Sequence, residues 1–239
     1  MDTIKIEHAN VKMVAHRGVS KIEPENTAAS FIAAGNRSYF GIETDIYRTA
    51  DGRFAVNHDG NLLRVGGVNL CVENETLEEL QKVVLFDIDG SKTRADLRVP
   101  TLENYIAICK KYNKHCILEL KSKFTKSEIE TIFDIINGYE YLSCVTFISF
   151  ILENLLLVRE ISSEQSAQLL FGAVTDDIIE VLKRNKLDAD IHYTDLSKEK
   201  VDLLHSLGIK VNCWTVDIPC DAHSLIEMGV DYITTNILE

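Results

Sequence analysis

Four short segments of this chain end in side chains that can carry out acid–base and metal chemistry. Each segment follows an apolar run that is typical of a β-strand. The segments are His16-Arg17-Gly18, Glu43-Thr44-Asp45, His58-Asp59 and Glu119-Leu120-Lys121. Carboxylates, imidazoles and cations are costly to bury at strand ends unless they have partners. If the four segments meet at one mouth of a sheet, they would form a metal-assisted acid–base site that can hold a phosphate.

The first carboxylate pair is Glu43 and Asp45, which stand two residues apart and so point to the same face of a strand. Two carboxylates this close need a cation or a shared proton between them. Oxygen ligands without thiolates suit a hard cation, which predicts Mg²⁺ or Ca²⁺. The alternative is an edge strand whose acidic side chains face water.

Glu119 and Lys121 repeat this spacing on another predicted strand. Glu119 can complete the carboxylate set around a metal, and Lys121 can face the oxygens of a phosphate. The alternative is a buried ion pair between Lys121 and one of the carboxylates.

Two histidines, His16 and His58, are set apart from the others by their neighbours. Histidine is the side chain best suited to proton transfer near neutral pH. Arg17 offers a planar fork for a phosphate or a carboxylate, and Gly18 would let the backbone approach a ligand. Asp59 directly follows the second histidine and is a candidate supporting residue.

The segment Pro24-Glu25-Asn26-Thr27 has the composition of a helix start, and we expect it to open the first helix. It comes soon after the loop that carries His16. Glu25 or Asn26 could therefore also orient the imidazole.

Two aromatic residues, Phe150 and Trp214, lie at or near the ends of other predicted strands. Core packing is the default explanation for each of them. At a barrel mouth, however, an aromatic ring can equally form an apolar wall for a ligand.

Strand-type runs alternate with amphipathic helical runs from residue 11 onward, which predicts a mostly parallel sheet with helices outside. Thr101 and Ser197 are expected helix starts. The strand candidates are 11–16, 40–46, 53–58, 115–121, 144–149, 167–172, 189–193, 209–215 and 231–235. The helix candidates include 25–36, 101–112, 126–137, 151–161, 176–186, 198–207 and 219–228.

This alternation contains one strand more than an eight-fold barrel needs. The link between 40–46 and 53–58 is too short for a parallel crossover, which takes about a dozen residues. It contains Asp51-Gly52, a hairpin turn signal. We therefore expect 53–58 to run antiparallel to 40–46 and to bring His58 opposite Glu43. The remaining parallel strands predict a (β/α)₈ barrel.

Residues 60–99 interrupt the alternation of strands and helices. We interpret them as a small insertion beside the site. The length of the chain is typical of an α/β barrel that forms one domain, so we expect a single domain over residues 1–239.

The composition restricts the partners of this chain of 239 residues. Its net charge of −12 argues against a broad nucleic-acid-binding surface. Its six cysteines form no C-x-x-C pair, so we expect reduced core residues in a reducing compartment. No signal peptide or transmembrane stretch is apparent. We expect a cytoplasmic protein without stable membrane insertion that acts on a small molecule, and we leave a homo-oligomer open.

With these residues placed, the chain resembles the glycerophosphodiester phosphodiesterase family. The resemblance runs in order from about residue 13 to residue 237. The matching segments read AHRG, PENT, GIETDIYRTADGRFAVNHD, VPTLENYI, LELK, FISF, VNCWTVD and GVDYITT. It implies a (β/α)₈ barrel with a small insertion after the segment that ends in His-Asp.

The resemblance also implies roles for individual residues. In that family, the carboxylates that match Glu43, Asp45 and Glu119 bind one divalent cation. The histidines that match His16 and His58 act in acid–base catalysis.

The basic residues that match Arg17 and Lys121 hold the phosphate in that family. One departure from the family pattern is Thr235-Asn236, where Thr-Asp is more usual. This departure bears only on residues that support the site.

The activity implied by the resemblance is metal-dependent hydrolysis of a glycerophosphodiester to glycerol 3-phosphate and an alcohol. The nucleophile is either water or the glycerol 2-hydroxyl, and the sequence does not assign the acid and the base between the two histidines. Two alternatives stay open. One is a lysophospholipase D-type phosphodiesterase that forms a cyclic phosphate, and the other is a barrel that binds phosphorylated ligands without catalysis.

Overall fold

Eight parallel strands close into a barrel in the computed structural model, which describes residues 2–239. Strand β1 pairs in parallel with both β2 and β9, and this closes the ring. In barrel order the strands are β1 (Lys12–Ala15), β2 (Gly41–Arg48), β4 (His115–Leu120), β5 (Val145–Ser149), β6 (Ser166–Phe171), β7 (Asp188–His192), β8 (Val211–Trp214) and β9 (Tyr232–Thr235). The predicted (β/α)₈ barrel is confirmed.

Most helices, though not α2, α6 and α9, begin at a capping side chain, because a helix start leaves backbone N–H groups without partners. Both predicted starts are confirmed, since Thr101 and Ser197 accept hydrogen bonds from the backbone N–H of Asn104 and Lys200. The helices are α1 (Ala28–Gly35), α2 (Leu63–Gly66), α3 (Leu77–Lys82), α4 (Leu102–Tyr112), α5 (Lys126–Gly138), α6 (Leu152–Ile161), α7 (Asp176–Asn185), α8 (Lys198–Ser206) and α9 (Pro219–Met228).

The first helix begins later than predicted. The sequence suggested 25–36 with Pro24 at its opening, but Thr27 caps the helix and Ala28 is its first residue. The reason is local, because Asn26 has a φ of 54° and so adopts a left-handed backbone that cannot enter an α-helix. Glu25 and Asn26 therefore belong to a turn in front of α1.

The predicted hairpin is confirmed. Strand β3 (Phe54–Val56) runs antiparallel to the end of β2, with Ile46 opposite Val56. Continuing this register puts His58 across from Thr44, one residue away from the predicted Glu43. The hairpin thus carries the second histidine back to the mouth of the barrel.

Inside the barrel, apolar side chains from several strands form a layer below this mouth. Val14, Ile117, Ile148, Leu170 and Tyr232 are all buried there and contact one another. A separate and larger cluster fills the space between the sheet and the helices. The inner layer closes the barrel below the polar residues, so the site opens to one side only.

Residues 60–99 hold α2 and α3 and build a small apolar cluster of their own. Leu62, Leu80 and Leu97 are buried in it and pack with Ala55 of β3. The segment is thereby attached to the hairpin that carries His58. The division into one domain over 1–239 with 60–99 as an insertion stays a prediction.

The cysteines are all free, and only part of the expectation about them is right. Cys109, Cys116 and Cys213 are buried core residues, as predicted. Cys71 and Cys220 are exposed, because the first lies in the 60–99 segment and the second in the first turn of α9. Within residues 2–239, no helix combines the length and the apolar character needed to cross a membrane.

One buried amide holds the chain that leaves β4 toward the site. Asn154 in α6 is fully buried, and its Nδ2 donates to the carbonyls of Leu120 and Ser122 at 3.2 and 2.8 Å. Its Oδ1 accepts from the N–H of Phe124 at 3.0 Å. These bonds surround Lys121, so they position the basic side chain that follows Glu119.

We expect Asn154→Ala to lower the free energy of unfolding by about 3 kcal/mol, because buried backbone groups would lose their partners. Asn185→Ala is the matched control, since Asn185 donates only to the carbonyl of Val181 at the end of a helix. That control should change stability by about 0.5 kcal/mol or less. Urea unfolding followed by circular dichroism measures both values, and equal effects of the two substitutions would contradict this role of Asn154.

Candidate active site

The structure brings all four polar segments together at the carboxyl ends of the strands. A pocket of about 120 Å³ lies at this mouth. Its wall includes His16, Arg17, Glu43, His58 and Glu119, one or more from each segment. Catalytic sites of (β/α)₈ barrels occur at this end, because the loops after successive strands meet there.

The three acidic residues form one buried cluster. Each of Glu43, Asp45 and Glu119 offers an oxygen that lies within 4.8 Å of the other two. Glu43 and Asp45 point inward from β2, and Asp45 stands beside Glu119 in the pairing of β2 with β4. The prediction that these carboxylates converge at one end of the barrel is confirmed.

Burial and mutual repulsion change the proton affinity of this cluster. Burial and the charge of Asp45 raise the pKa of Glu43 well above its usual range. The same two causes raise the pKa of Glu119 to about 8. Burial alone would raise the pKa of Asp45 too, but Lys121 and Arg17 outweigh it and lower that pKa. The cluster therefore binds a proton readily. A divalent cation would stabilise it further, because it offsets more negative charge than one proton does.

The donor set fits a hard divalent cation. All three ligand residues offer oxygen, which Mg²⁺ and Ca²⁺ prefer. The buried Oδ1 atom of Asp45 accepts no hydrogen bond from residues 2–239, so it is available to coordinate a metal. The identity of the metal does not follow from three carboxylates alone.

The two cations of the site are paired with carboxylates. Lys121 Nζ lies 3.0 Å from Glu119 Oε1 and 3.5 Å from Asp45 Oδ1, which is the ion pair that the sequence left as an alternative. Arg17 Nη1 donates to Glu25 at 2.8 Å, and its Nε lies 3.7 Å from Asp45 Oδ2. Both side chains stay close to the pocket, where an anion can compete for them.

Both histidines are held through Nδ1. His16 Nδ1 lies 2.8 Å from Asn236 Oδ1, and its Nε2 lies 3.9 Å from Glu43 Oε2. His58 Nδ1 lies 2.8 Å from Asp59 Oδ1. Because Nδ1 is occupied in each ring, Nε2 is the atom left for proton transfer.

Burial also favours the neutral form of each imidazole. It lowers the pKa of His16 to about 4, and the charge of Arg17 adds to this effect. Burial lowers the pKa of His58 as well, although Asp45 works in the other direction. A neutral imidazole can accept a proton directly.

Glu25 and Asn26 do not orient the His16 imidazole, so that expectation is wrong. Asn26 Nδ2 instead donates to Asp45 Oδ2 at 2.8 Å. Asn26 Oδ1 accepts from the hydroxyl of Thr44 at 2.8 Å. The two side chains lie in the turn before α1, where they face β2 and Arg17 rather than the imidazole.

Arg64 is a site residue that the sequence did not indicate. It belongs to α2 in the 60–99 segment, and its guanidinium donates to both oxygens of Glu25 at 2.7 and 2.8 Å. Its Nε donates to Asp59 Oδ2 at 2.8 Å. Arg64 therefore joins the carboxylate beside Arg17 to the carboxylate beside His58. A lone arginine in an irregular segment gave no sequence signal of this role.

Gly18 serves packing rather than ligand approach. It has a φ of 78°, and a Cβ atom there would lie 2.4 Å from Ser30 Oγ in α1. Glycine adopts this backbone conformation without strain, and a larger residue would clash with Ser30. The tight turn allows the N–H of Arg17 to donate to Glu43 Oε2 at 2.8 Å.

The wall opposite the carboxylates is mostly apolar and aromatic. Phe150 and Trp214 line the pocket, with ring centroids 5.6 Å apart in an edge-to-face arrangement, and Phe150 is 52% exposed. They therefore belong to the pocket wall, as one of the two interpretations predicted. Asp190 also lines the pocket. Its buried Oδ1 has no hydrogen-bond partner among residues 2–239, and burial raises its pKa well above the usual range. Asp190 was missed although its two-residue spacing from Asp188 on β7 repeats the spacing of Glu43 and Asp45.

Comparison with known proteins agrees with this geometry. A glycerophosphodiester phosphodiesterase of Caldanaerobacter subterraneus is 29% identical, over 94% of this chain and 93% of that protein. The crystal structure of a glycerophosphodiester phosphodiesterase from Parabacteroides distasonis has a TM-score of 0.80 and 27% identity, covering 95% of this chain and 93% of its own.

An Oleispira antarctica phosphodiesterase, solved in complex with the product sn-glycerol-3-phosphate, shares the fold with a TM-score of 0.87. It is 24% identical, and the match covers 94% of this chain and 92% of that one. The model of the glycerophosphoryl diester phosphodiesterase family matches residues 16–239, which is nearly the whole chain. The chain therefore belongs to the glycerophosphoryl diester phosphodiesterase family.

Proposed function

We propose that this protein hydrolyses glycerophosphodiesters to glycerol 3-phosphate and an alcohol, with a divalent cation and two histidines. Family membership supports the phosphodiesterase activity. One observation of the site supports the mechanism best, namely three buried carboxylates and two histidine rings around a single pocket. We propose Glu43, Asp45 and Glu119 as the metal ligands, with Mg²⁺ or Ca²⁺ as the metal.

A cation bound there would polarise the phosphoryl group and offset the charge that develops on its oxygens. The chain's own residues supply the remaining steps. Nε2 of one histidine takes the proton from the nucleophile as the new P–O bond forms. The other histidine must enter the reaction as the imidazolium, with a proton on each nitrogen, and its Nε2 then gives its proton to the alkoxide as the old P–O bond breaks. If water attacks, the two products form in one displacement. If the glycerol 2-hydroxyl attacks, a cyclic phosphate forms first and water then opens it.

Arg17 and Lys121 are proposed to hold the phosphate. Each now contacts carboxylates, and an incoming phosphate would replace part of those contacts with charge-assisted hydrogen bonds. Their positive charge then stabilises the transition state, where negative charge grows on the phosphoryl oxygens. Asn26 and Asp59 support the site by holding Asp45 and His58.

The aromatic wall is proposed to receive the alcohol part of the substrate. Phe150 and Trp214 face the pocket away from the carboxylates. Because Phe150 is half exposed, the wall also favours a second candidate, a lysophospholipase D-type reaction on a lipid alcohol. Parallel assays with glycerophosphocholine and a lysophosphatidylcholine, with product identification, test the two. Cytoplasmic location, a homo-oligomer and a lack of nucleic-acid binding stay predictions.

The first prediction concerns the metal. We expect an excess of chelator to abolish hydrolysis of glycerophosphocholine and Mg²⁺ or Ca²⁺ to restore it. Glu119 has a pKa of about 8, so its proton competes with the cation, and metal affinity should fall as the pH drops below that value. Isothermal titration calorimetry at two pH values measures the affinity. Full turnover in chelator with metal absent by elemental analysis would refute the proposed cofactor.

The second prediction concerns the stability of the metal-free protein. The pKa of Glu119 is raised from 4.5 to about 8 in the folded state, so the folded chain binds more protons than the unfolded chain within that range. Stability should therefore fall as the pH rises through it. Glu119→Gln removes the contribution of Glu119 to this dependence, and its melting temperature in chelator should exceed that of the unmodified protein at high pH. Equal melting curves above pH 8 would contradict this assignment.

The third prediction concerns the histidines. His16→Ala and His58→Ala should each lower kcat by about a hundred- to ten-thousand-fold with a smaller effect on substrate binding. The double variant should lose less than the product of the single losses, because partners in one proton-transfer chain are not additive. A nitrophenyl ester needs little protonation of its leaving group and should rescue only the variant that lacks the acid. His205→Ala, distant in sequence on α8, is the matched control. Near-normal kcat in both variants would show that neither histidine is the acid or the base.

A further inference from the structure

The His16 imidazole is held by an amide that is itself held from behind. Asn236 follows β9, and its Oδ1 lies 2.8 Å from His16 Nδ1. Its Nδ2 donates to Asp217 Oδ2 at 2.7 Å, and its backbone N–H donates to Asp217 Oδ1 at 2.8 Å. Asp217 lies in the loop between β8 and α9. Two loops of the barrel mouth are thus joined behind one histidine.

The direction of these hydrogen bonds follows from chemistry. A carboxylate only accepts, so the amide nitrogen of Asn236 must be the group that faces Asp217. The amide oxygen must then face the imidazole. Ser20 Oγ agrees with this orientation, because it donates to the same oxygen at 2.5 Å.

The same logic sets the proton on the ring. An amide oxygen also only accepts, so Nδ1 of His16 must carry a hydrogen. In the neutral ring, Nε2 then has the lone pair, and this atom points toward the pocket, 3.9 Å from Glu43 Oε2. Asp217, two groups away from the ring, therefore determines the tautomer in which Nε2 is free to accept a proton.

We propose that Asp217 is a positioning residue that fixes the His16 tautomer through Asn236. This inference rests on the proposed function, because it assigns a purpose to the free Nε2 of His16. Within residues 2–239, Asp217 makes no hydrogen bond to Glu43, Asp45 or Glu119, and its partners are the hydroxyl of Thr235 and the backbone and side chain of Asn236. Of these partners, only the Asn236 amide contacts the His16 ring. The arrangement at the other histidine differs, since Asp59 contacts His58 directly.

Asp217→Asn tests the proposal with little change in shape. The substituted side chain can donate as well as accept, so the Asn236 amide can turn over and present its NH₂ group to the imidazole. Ser20→Ala is the matched control, because it removes the other partner of Asn236 Oδ1 and leaves Asp217 in place. Neither substitution changes a proposed metal ligand.

The tautomer is read by NMR of the full chain with ¹⁵N-labelled histidine, and the signal of His16 is assigned by its loss in His16→Ala. We expect the unmodified protein and Ser20→Ala to carry the proton on Nδ1. Asp217→Asn should show a mixture of tautomers, and its kcat should fall by about tenfold or more, with ten-thousand-fold as the rough upper limit for a wrong tautomer. The KM, the Mg²⁺ affinity and the melting temperature should stay near those of the unmodified protein.

A proton on Nε2 in the unmodified protein would overturn the proposal, and so would an unchanged tautomer and kcat in Asp217→Asn. If that variant does not fold, Asn236→Ala serves in its place and should also lose the tautomer preference. If the unmodified protein hydrolyses no glycerophosphodiester, the proposed function fails. The NMR spectra still decide the present proposal in that case, because they require neither substrate nor metal.

Discussion

Repulsion among three buried carboxylates is the constraint around which the mouth of this barrel is organised. Glu43, Asp45 and Glu119 lie within 4.8 Å of one another and are buried except where Glu43 and Glu119 face the pocket. Such a cluster is costly unless protons, cations or hydrogen bonds offset the charge. Lys121 and Arg17 supply positive charge from two loops. The metal-free protein therefore carries an electrostatic cost in the same place where a divalent cation would gain most.

The strand order divides the pocket into two walls of different chemistry. The three clustered carboxylates come from β2 and β4, whereas Trp214 comes from β8 on the opposite side of the closed sheet, and Phe150 follows β5. The same closed pairing that builds the core thus places Trp214 across the pocket from the carboxylate cluster. A ligand with an anionic end and a neutral end can therefore lie across the barrel mouth, with its anionic end near Arg17 and Lys121 and its neutral end near Trp214.

Sequence reasoning succeeded where a short-range rule determines the geometry. Glu43 and Asp45 point the same way because strand side chains alternate, and a short link forces β3 into a hairpin. It failed where a partner comes from a distant segment. The residues around Asn236 do not indicate that its side chain contacts His16. Those around Asn26 do not indicate that its backbone adopts a left-handed conformation or that its side chain contacts Asp45. Such contacts depend on how separate loops meet, which no spacing within one segment encodes.

The guanidinium of Arg64 has a consequence for how this barrel can be altered. It binds Glu25, which holds Arg17, and it binds Asp59, which holds His58. Exposed ion pairs contribute little to stability, so the main effect of these contacts is to hold Arg17 and His58 in position. Residues 60–99 are consequently not an interchangeable module. A chimera that takes this segment from another barrel would fold around its own apolar cluster. It would still misplace the loops that carry Glu25 and Asp59 unless it has an arginine at the position of Arg64.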